Sequence, residues 1–278
     1  MRNVSGIIIH QSSNQYRSGW RGGQAWSASG RMGAAWFPAT RDGVLLLVST
    51  YVQFLYVKQN SIINIISMLS LEELAVRLFD VGAVRLGDIE AKIGRRTPIY
   101  FDLRVVVSRP EIMMAVAQQL QKLAREINHD LLCGVPYAAL PIAAVMSVNT
   151  NTPMIMKRKE TKLYATKKIL EGLFEINQNC LVVEDVVTSG GSLLETVDTL
   201  RSEGLIVSHA VVVLDRDQGG ARVLKENGII VKPLYSMTGL LKMLNDAGKI
   251  DSETVDIILN HIKESQFNTA MKDNLELL

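Results

Sequence analysis

From residue 69 to residue 267, short apolar runs alternate with longer segments in which apolar residues recur at helical spacing. Four of the runs are short enough to be buried parallel strands: residues 131–133, 153–156, 180–183 and 209–214. Helical periodicity precedes or follows them, most clearly at residues 112–127, 138–147 and 193–204. Strands that alternate with helices predict an α/β fold with an open parallel sheet flanked by helices, whose site lies at the carboxyl edge of the strands.

Two S-x-x-E patterns predict helix starts. Ser70 with Glu73, and Ser108 with Glu111, have the form of a capping box, and Pro110 suits the first turn of the second helix. Between the two helices lie two extended segments, residues 84–94 and 97–104, which a turn at residues 94–97 is predicted to join.

The first 67 residues lack this order. Five arginines precede the first acidic residue, Asp42, and an apolar span covers residues 44–57. Three interpretations remain open: an organelle transit peptide, a membrane span that continues toward Ile66, or an extension that is no evolved part of the protein. The predicted organisation is an N-terminal extension at residues 1–67, a domain at residues 68–267 and a tail at residues 268–278.

Composition and charge narrow the possible partners. The 278 residues are 47% hydrophobic, which is enough to fill the core of a soluble globule. Thirty basic residues nearly balance 28 acidic ones, so no global field favours nucleic acid and any anion site must be local. Cys133 and Cys180 lie in apolar runs, which favours reduced core thiols in a reducing compartment such as the cytoplasm.

One stretch, CLVVEDVVTSGGSLL at residues 180–194, joins an apolar strand to two acids and a polar loop. Glu184 and Asp185 sit where the strand is predicted to end, and the loop leads into a helix whose N-terminal dipole favours an anion. A phosphate held by the loop would leave the acids facing its sugar, whose cis hydroxyls donate well to carboxylates. The predicted ligand is a ribose 5-phosphate, and the alternative is an ordinary turn that the acids only cap.

This stretch closely resembles the 5-phosphoribosyl 1-diphosphate (PRPP) signature of the type I phosphoribosyltransferases. Further matches between about Leu69 and about Phe267 resemble orotate phosphoribosyltransferase, in particular the N-terminal half of animal bifunctional UMP synthases. The resemblance implies the type I fold with a small hood, transfer of the phosphoribosyl group from PRPP to orotate in UMP synthesis, and Mg²⁺ held mainly by substrate oxygens. No decarboxylase barrel fits after Phe267, so only the first UMP synthase activity is expected.

The resemblance also implies the PRPP contacts. They are the acid pair, the loop after it and the turn that follows the strand at residues 131–133, namely Tyr137, Glu184, Asp185, Val187, Thr188, Ser189, Gly190, Gly191 and Ser192. Bacterial members carry a lysine after the tyrosine, where this chain has Ala138. Positive charge for the diphosphate is therefore expected from another segment.

Residues 157–168 carry six cations and one acid, Glu160. Repulsion among these charges predicts a segment that settles only when a diphosphate binds, which is typical of a catalytic lid; a solvated basic face is the alternative. The resemblance gives catalytic roles to Lys162, Lys159 and Arg158 together with Asp185, and has the loop reach into the other subunit of a homodimer. The family's D-Y-G is Leu163-Tyr164-Ala165 here, which is expected to affect loop closure rather than chemistry.

The base is expected on the far side of the ribose. Orotate is a flat anion that needs a cation at its carboxylate and π-faces or amides around its ring. The resemblance places it against Lys92, Tyr100, Phe101, Thr188 and Arg216. Strand alternation alone also explains the aromatic pair, and an ion pair with a neighbouring acid also explains the arginine. The family's K-S-G reads Lys92-Ile93-Gly94, so one local contact differs.

Two other functions use the same pattern. A purine or uracil phosphoribosyltransferase would share the PRPP signature, but Lys92 and Arg216 favour an acidic base. A phosphoribosyl-binding regulator without turnover would also share it, although the three matched lid cations argue against this and Ile93, Leu163 and Ala165 for it.

Overall fold

The computed structural model describes residues 69–90, 96–159 and 169–267, together with two short backbone segments nearer the N-terminus. The chain divides into two compact units, Met1–Asn60 and Ser61–Leu278. In the first unit, β1 (Ala25–Trp26) pairs antiparallel with β2 (Met32–Gly33). The three interpretations of residues 1–67 fall almost entirely on residues outside this description. Among the described residues, no helix has the length and apolar character needed to cross a membrane.

A helix and a hairpin open the second unit. The helix α1 (Leu71–Asp80) confirms the first capping box, because Ser70 Oγ accepts from Glu73 N at 3.1 Å and Glu73 Oε2 accepts from Ser70 N at 2.9 Å. The strands β3 (Val84–Glu90) and β4 (Arg96–Phe101) pair antiparallel and form the predicted hairpin. The second strand begins at Arg96, so the predicted turn extended too far toward the C-terminus.

The second capping box is wrong. A 3-10 helix (Leu103–Ser108) precedes α2 (Pro110–Ala124), and Ser108 is its last residue. The Ser108 hydroxyl therefore donates backward to Val105 O at 3.1 Å instead of capping the next helix. Arg109 is the N-cap without a side-chain bond, while Pro110 occupies the first turn as predicted.

The remaining elements confirm the α/β class. Six strands form one sheet: β5 (Leu131–Gly134), β6 (Met154–Lys157), β7 (Leu170–Glu171), β8 (Cys180–Val187), β9 (His209–Asp215) and β10 (Ile230–Ser236). Their order is β10-β9-β8-β5-β6-β7, parallel except for the short edge strand β7, which the sequence did not reveal. The accompanying helices are α3 (Ala139–Thr150), α4 (Gly191–Ser202), α5 (Gly220–Glu226), α6 (Met237–Asp246) and α7 (Ser252–Glu264).

Helices cover both faces of the sheet. Leu181 and Val183 of β8 pack toward the core that includes α1, α2, α3, α6 and α7, whereas Val182 between them packs toward α4 and α5. This alternation is what a strand buried on both faces requires. Cys133 and Cys180 are buried free thiols, as predicted, and burial raises the pKa of Cys133 to about 11.

Candidate active site

The acid pair lies inside the central strand rather than after it. β8 continues through Glu184 and Asp185 to Val187, because the two valines after the acids keep the strand apolar and its ladder with β9 extends to Val187 and Asp215. The strand was predicted over residues 180–183, so its predicted end is wrong by four residues. The ladder fixes the backbone of both acids next to the loop that follows.

The two carboxylates have different surroundings. Glu184 is only 5% exposed, and its Oε1 accepts from Asp185 N at 3.0 Å. Burial, and then the neighbouring Asp185, raise the pKa of the Glu184 carboxyl well above its usual range. Asp185 is half-buried. Burial thus disfavours the charged form of one acid, while the other remains accessible at the carboxyl edge of the sheet.

The loop at residues 188–192 has the geometry of an anion cradle. Gly190 adopts φ +85° as the N-cap of α4, and Gly191 and Ser192 at the start of that helix are exposed. Gly191 N reaches Ser189 Oγ only at 3.5 Å. Because the first amides of a helix have no acceptor inside it, those of Gly191 and Ser192 are available to a phosphate.

Close packing explains why glycines occur at and beneath this loop. A Cβ at Gly190 would lie 3.0 Å from Leu224 Cγ, and one at Gly220 would lie 2.5 Å from Thr188 O. The turn after β9 (residues 216–219) and the start of α5 therefore pack directly against the loop after β8. Arg216 N also donates to Val187 O at 3.0 Å, so the two loops are joined at their bases.

The predicted diphosphate turn lies at the end of β5. Tyr137 is 63% exposed and directly precedes Ala138, the N-cap of α3. Lys159 Nζ lies 4.7 Å from the centroid of the Tyr137 ring, a cation–π distance. The structure thus brings the first part of the basic segment onto the turn where the diphosphate was predicted.

The other described cations of this segment are paired within the chain. Arg158 Nη1 donates to Glu171 Oε1 of β7 at 2.6 Å, and Lys157 is buried in an ion pair with Glu195 of α4. Arg158 would have to exchange this partner to serve a diphosphate, so its role stays a prediction. The catalytic candidate Lys162, like Lys92, lies outside the described residues.

Arg216 is a half-buried cation without a carboxylate partner among the described residues. Its Nη2 donates to Thr97 Oγ1 at 3.3 Å, its Nε is buried with no acceptor, and burial lowers the pKa of the guanidinium. The flanking acids bond elsewhere: Asp215 Oδ1 accepts from Asp217 N at 3.0 Å, and Asp217 Oδ2 accepts from Thr238 N at 2.8 Å. A structural ion pair therefore does not explain this arginine, and an external anion would complete it.

Tyr100 and Phe101 lie on opposite faces of β4, because side chains alternate along a strand. Phe101 is 7% exposed and belongs to the core, whereas Tyr100 is half-buried on the opposite face. This favours a packing role for Phe101, and base contact by Tyr100 stays a prediction. Thr97 is also buried on β4, facing Arg216.

Sequence reasoning missed Arg104. Its Nε and Nη2 donate to the two oxygens of Asp102 at 2.7 and 2.9 Å, and Nη2 also reaches Tyr100 Oη at 3.3 Å. Its guanidinium also interacts electrostatically with Asp185, and together these contacts raise its pKa. The signal was the order Asp102-Leu103-Arg104 directly after an edge strand, which places a cation between the hairpin and the acid pair.

A groove of about 690 Å³ lies elsewhere, between the hairpin and α7. Leu86, Pro98, Ile257 and His261 are among the residues that line it, whereas the acid pair and the loop at residues 188–192 do not. It shares with the candidate site only the position of Thr97, so we do not assign the substrate to it.

Comparison with known proteins supports the resemblance. Residues 106–231 match the phosphoribosyl transferase domain family. The chain is 42% identical over 202 residues to the uridine 5'-monophosphate synthase of Bos taurus, covering 72% of this chain but only 42% of that protein. It is also 42% identical over 171 residues to the orotate phosphoribosyltransferase of Chlamydia caviae, covering 61% of this chain and 83% of that enzyme.

A solved structure gives the same result. The UMP synthase of Leishmania donovani superposes with a TM-score of 0.65 at 33% identity, covering 70% of this chain and 43% of that one. The type I phosphoribosyltransferase fold predicted from the sequence is therefore confirmed.

Proposed function

Because this chain belongs to the orotate phosphoribosyltransferase family, we propose that it transfers the 5-phosphoribosyl group from PRPP to orotate, yielding orotidine 5'-monophosphate and diphosphate in pyrimidine biosynthesis. The observation that carries the proposal is Arg216, a half-buried cation whose Nε is buried without an acceptor, at the same sheet edge as the acid pair and the phosphate loop. A cation there suits an acidic base, and the loop suits the phosphate of the donor.

The ribose 5-phosphate occupies the edge of β8. The loop from Val187 through Thr188, Ser189, Gly190 and Gly191 to Ser192 binds the phosphate, with the amides at the start of α4 as donors. Asp185 accepts from the ribose hydroxyls, and Glu184 completes the contact once ligand binding compensates for its burial. This orients the anomeric carbon toward the base.

The leaving diphosphate lies toward Tyr137 and the basic segment. The anomeric carbon gains oxocarbenium character as the diphosphate departs, so the reaction needs fixed donors and exclusion of water rather than a strong protein nucleophile. Lys159 lies on the Tyr137 ring already. Closure of the segment adds Lys162 and Arg158 to the developing charge.

Orotate lies between the hairpin and the turn after β9. Arg216 binds its carboxylate while Thr97 holds the guanidinium in place, and the backbone at Thr188 lies near the ring. Tyr100 and Phe101 belong to β4 of the hairpin, with Tyr100 the aromatic side chain that faces away from the core, and the proposal adds Lys92 as a second cation for orotate. Neutral bases would leave the arginine, whose Nε is buried without an acceptor, lacking an anionic partner, so the site should prefer an acidic base.

Mg²⁺ fits this donor set as an ion held largely by the substrate. No cluster of three or more acidic, histidine or cysteine side chains occurs among the described residues, and the accessible carboxylate beside the loop is Asp185. Mg²⁺ commonly binds through one or two carboxylates plus substrate phosphates, and it would neutralise diphosphate charge here.

A second copy of the chain is the proposed partner. The helix α3 is apolar on all sides, yet Val148 is 82% exposed and continues a stripe with Ala144, Pro141 and Tyr137. A helix that is apolar all round is normally buried. Since this stripe ends at the tyrosine under Lys159, a dimer formed along it would bring the basic segment of one subunit beside the site of the other.

Mixing two inactive variants tests the shared lid. Lys162→Ala and Asp185→Asn each remove one half of the site, so a mixed dimer has one complete site if the lid crosses between subunits. Mixing should restore about a quarter of wild-type turnover, because half of the dimers are mixed and each has one good site. Failure to restore activity, with dimers present, would place the lid in its own subunit.

Turnover assays test the reaction itself. Purified protein with PRPP and Mg²⁺ is given orotate, uracil or hypoxanthine, and diphosphate release is measured. Orotate should be the substrate. Turnover only with uracil or hypoxanthine would identify one of the rival transferases, and PRPP binding without turnover would identify a regulator.

We further propose that residues 68–267 form the catalytic domain, flanked by the extension at residues 1–67 and the tail at residues 268–278, and that the protein acts in the cytoplasm. Limited proteolysis followed by mass spectrometry tests the boundaries.

A further inference from the structure

The last described residues hold the turn that carries Arg216. We call Ser265, Gln266 and Phe267 the C-terminal clasp. Phe267 N donates to Gln218 O at 2.7 Å, and Gln266 Nε2 donates to Asp217 O at 2.8 Å. The clasp thus covers the backbone carbonyls of the two residues that directly follow Arg216.

Side chains of the turn complete the contact from the other side. Gln218 is 3% exposed, and its Nε2 donates to Ser265 O at 3.4 Å and to Ser265 Oγ. Arg222 Nη2 donates to Phe267 O at 2.9 Å. The clasp itself is anchored to α7, because Ser265 Oγ donates to His261 O at 2.6 Å.

No space separates the turn from the clasp. Gly219 has φ +96°, and a Cβ built there would lie 2.4 Å from Phe267 O. Any movement of the turn outward would therefore collide with the clasp, and loss of the clasp would expose its polar backbone.

Few hydrogen bonds hold the side chain of Arg216 itself. Arg216 is tied through its backbone to Val187 O and through Nη2 to Thr97 Oγ1, with Nε unpaired. No carboxylate of the described residues holds the guanidinium. Its position therefore depends on where the backbone of the turn is held, and the clasp holds that backbone.

We infer that the C-terminal clasp positions Arg216 for the base, with Gln218 as the positioning residue that joins turn and clasp. The inference rests on the proposed function, since Arg216 is the arginine assigned to orotate. A positioning role predicts a much larger effect on the base than on PRPP. The acid pair and the phosphate loop belong to β8 and α4, which have no hydrogen bond to the clasp within the described residues.

Gln218→Leu is the sharpest variant. It removes the bonds to Ser265 and also removes the buried Gln218 Oε1, which has no partner, so the fold should lose little stability. Gln121→Leu is the matched control, because Gln121 of α2 is a half-buried glutamine that donates to Met146 O of α3 at 3.2 Å, a contact that involves neither the turn nor the clasp.

Steady-state kinetics with both substrates, together with thermal unfolding, test whether Gln218 positions Arg216. In Gln218→Leu the KM for orotate should rise about tenfold, while kcat at saturating orotate and the KM for PRPP stay within about twofold of wild type. Gln121→Leu should change neither KM. An unchanged orotate KM, or an equal rise for PRPP, overturns the positioning role.

Truncation provides a second variant if Gln218→Leu does not fold. A chain ending at Glu264 lacks the clasp, and a chain ending at Phe267 keeps it. The first should show the selective rise in orotate KM and the second should not; equal behaviour of the two contradicts the clasp. Absence of orotate turnover in the wild-type chain would instead refute the proposed function, and the clasp's role with it.

Discussion

The phosphate side and the base side of the site are built in different ways. The phosphate side comes from one continuous stretch, β8 and the start of α4, in which backbone amides and carboxylates are fixed by a sheet ladder and a helix. The base side brings together β4, the turn after β9 and the C-terminal clasp, and its Arg216 meets Thr97 across 119 residues of sequence. In the proposed function, binding of PRPP thus depends on local structure, whereas selection of the base depends on tertiary packing.

Lys162→Ala, in the proposed lid, should give the largest effect. It should slow the chemical step without weakening the binding of either substrate. Lys162→Ala should lower kcat by about 1000-fold, because it removes charge stabilisation of the departing diphosphate, with little change in either KM. Lys168→Ala in the same segment is the control and should retain most of the activity. Equal losses in kcat and in substrate binding would argue against a lid role.

Arg216→Ala should weaken the binding of orotate and leave the binding of PRPP unchanged. Loss of a charged hydrogen-bonding partner for the orotate carboxylate should raise the orotate KM about 30- to 100-fold, with the PRPP KM unchanged. The variant should also unfold at an equal or higher temperature, since it removes a half-buried cation whose Nε is buried without an acceptor.

Arg201→Ala is the contrasting control for that experiment. Arg201 is a half-buried arginine whose donors are used: Nη1 bonds Asn227 O at 3.0 Å and Nη2 bonds Val207 O at 2.7 Å. Its removal should lower thermal stability without changing the orotate KM. If both variants lose stability equally and neither affects orotate, Arg216 is structural.

Glu184→Gln should change how the stability of the protein depends on pH, and so test the buried acid of the phosphate side. The buried carboxyl keeps its proton above the pH at which the unfolded chain loses it, because burial raises the pKa. Stability of the ligand-free wild type therefore falls as pH rises above the usual carboxyl range, and the glutamine variant lacks this loss. At pH 8 the variant should be more stable than the wild type, with no gain at pH 4.

The same variant should bind PRPP about tenfold more weakly, since a neutral amide is a poorer acceptor for ribose hydroxyls. Thermal unfolding at several pH values and titration with PRPP measure the two effects. A stability gain that does not depend on pH would show that the Glu184 carboxyl is not the titrating group.

The strand, loop and helix start of the proposed phosphate side were predictable from the sequence because the information for them is local. Glu184, Asp185 and the Gly190-Gly191 pair follow one another, and their spacing alone implied an anion cradle beside a sugar. The strand end was misplaced because Val186 and Val187 continue the ladder with β9 past the acids. Local spacing could not show that one acid would be buried and the other accessible.

The base side was predicted only in part. Resemblance marked Arg216, but its contact with Thr97 and the clasp at Phe267 depend on how distant segments pack. The capping box at Ser108 failed for a related reason, since the 3-10 helix before it competes for the same hydroxyl. A short motif shows what a segment can do, and tertiary structure decides whether it does so.

Binding of ribose 5-phosphate, which has neither base nor diphosphate, tests the separation of the two sides most directly. Titration calorimetry with wild type, Asp185→Asn and Arg216→Ala should show binding to wild type and to Arg216→Ala with similar affinity, and binding to Asp185→Asn at least about tenfold weaker. Undiminished binding to Asp185→Asn, or loss of binding in Arg216→Ala, would contradict the assignment of the sugar phosphate to β8 and its loop.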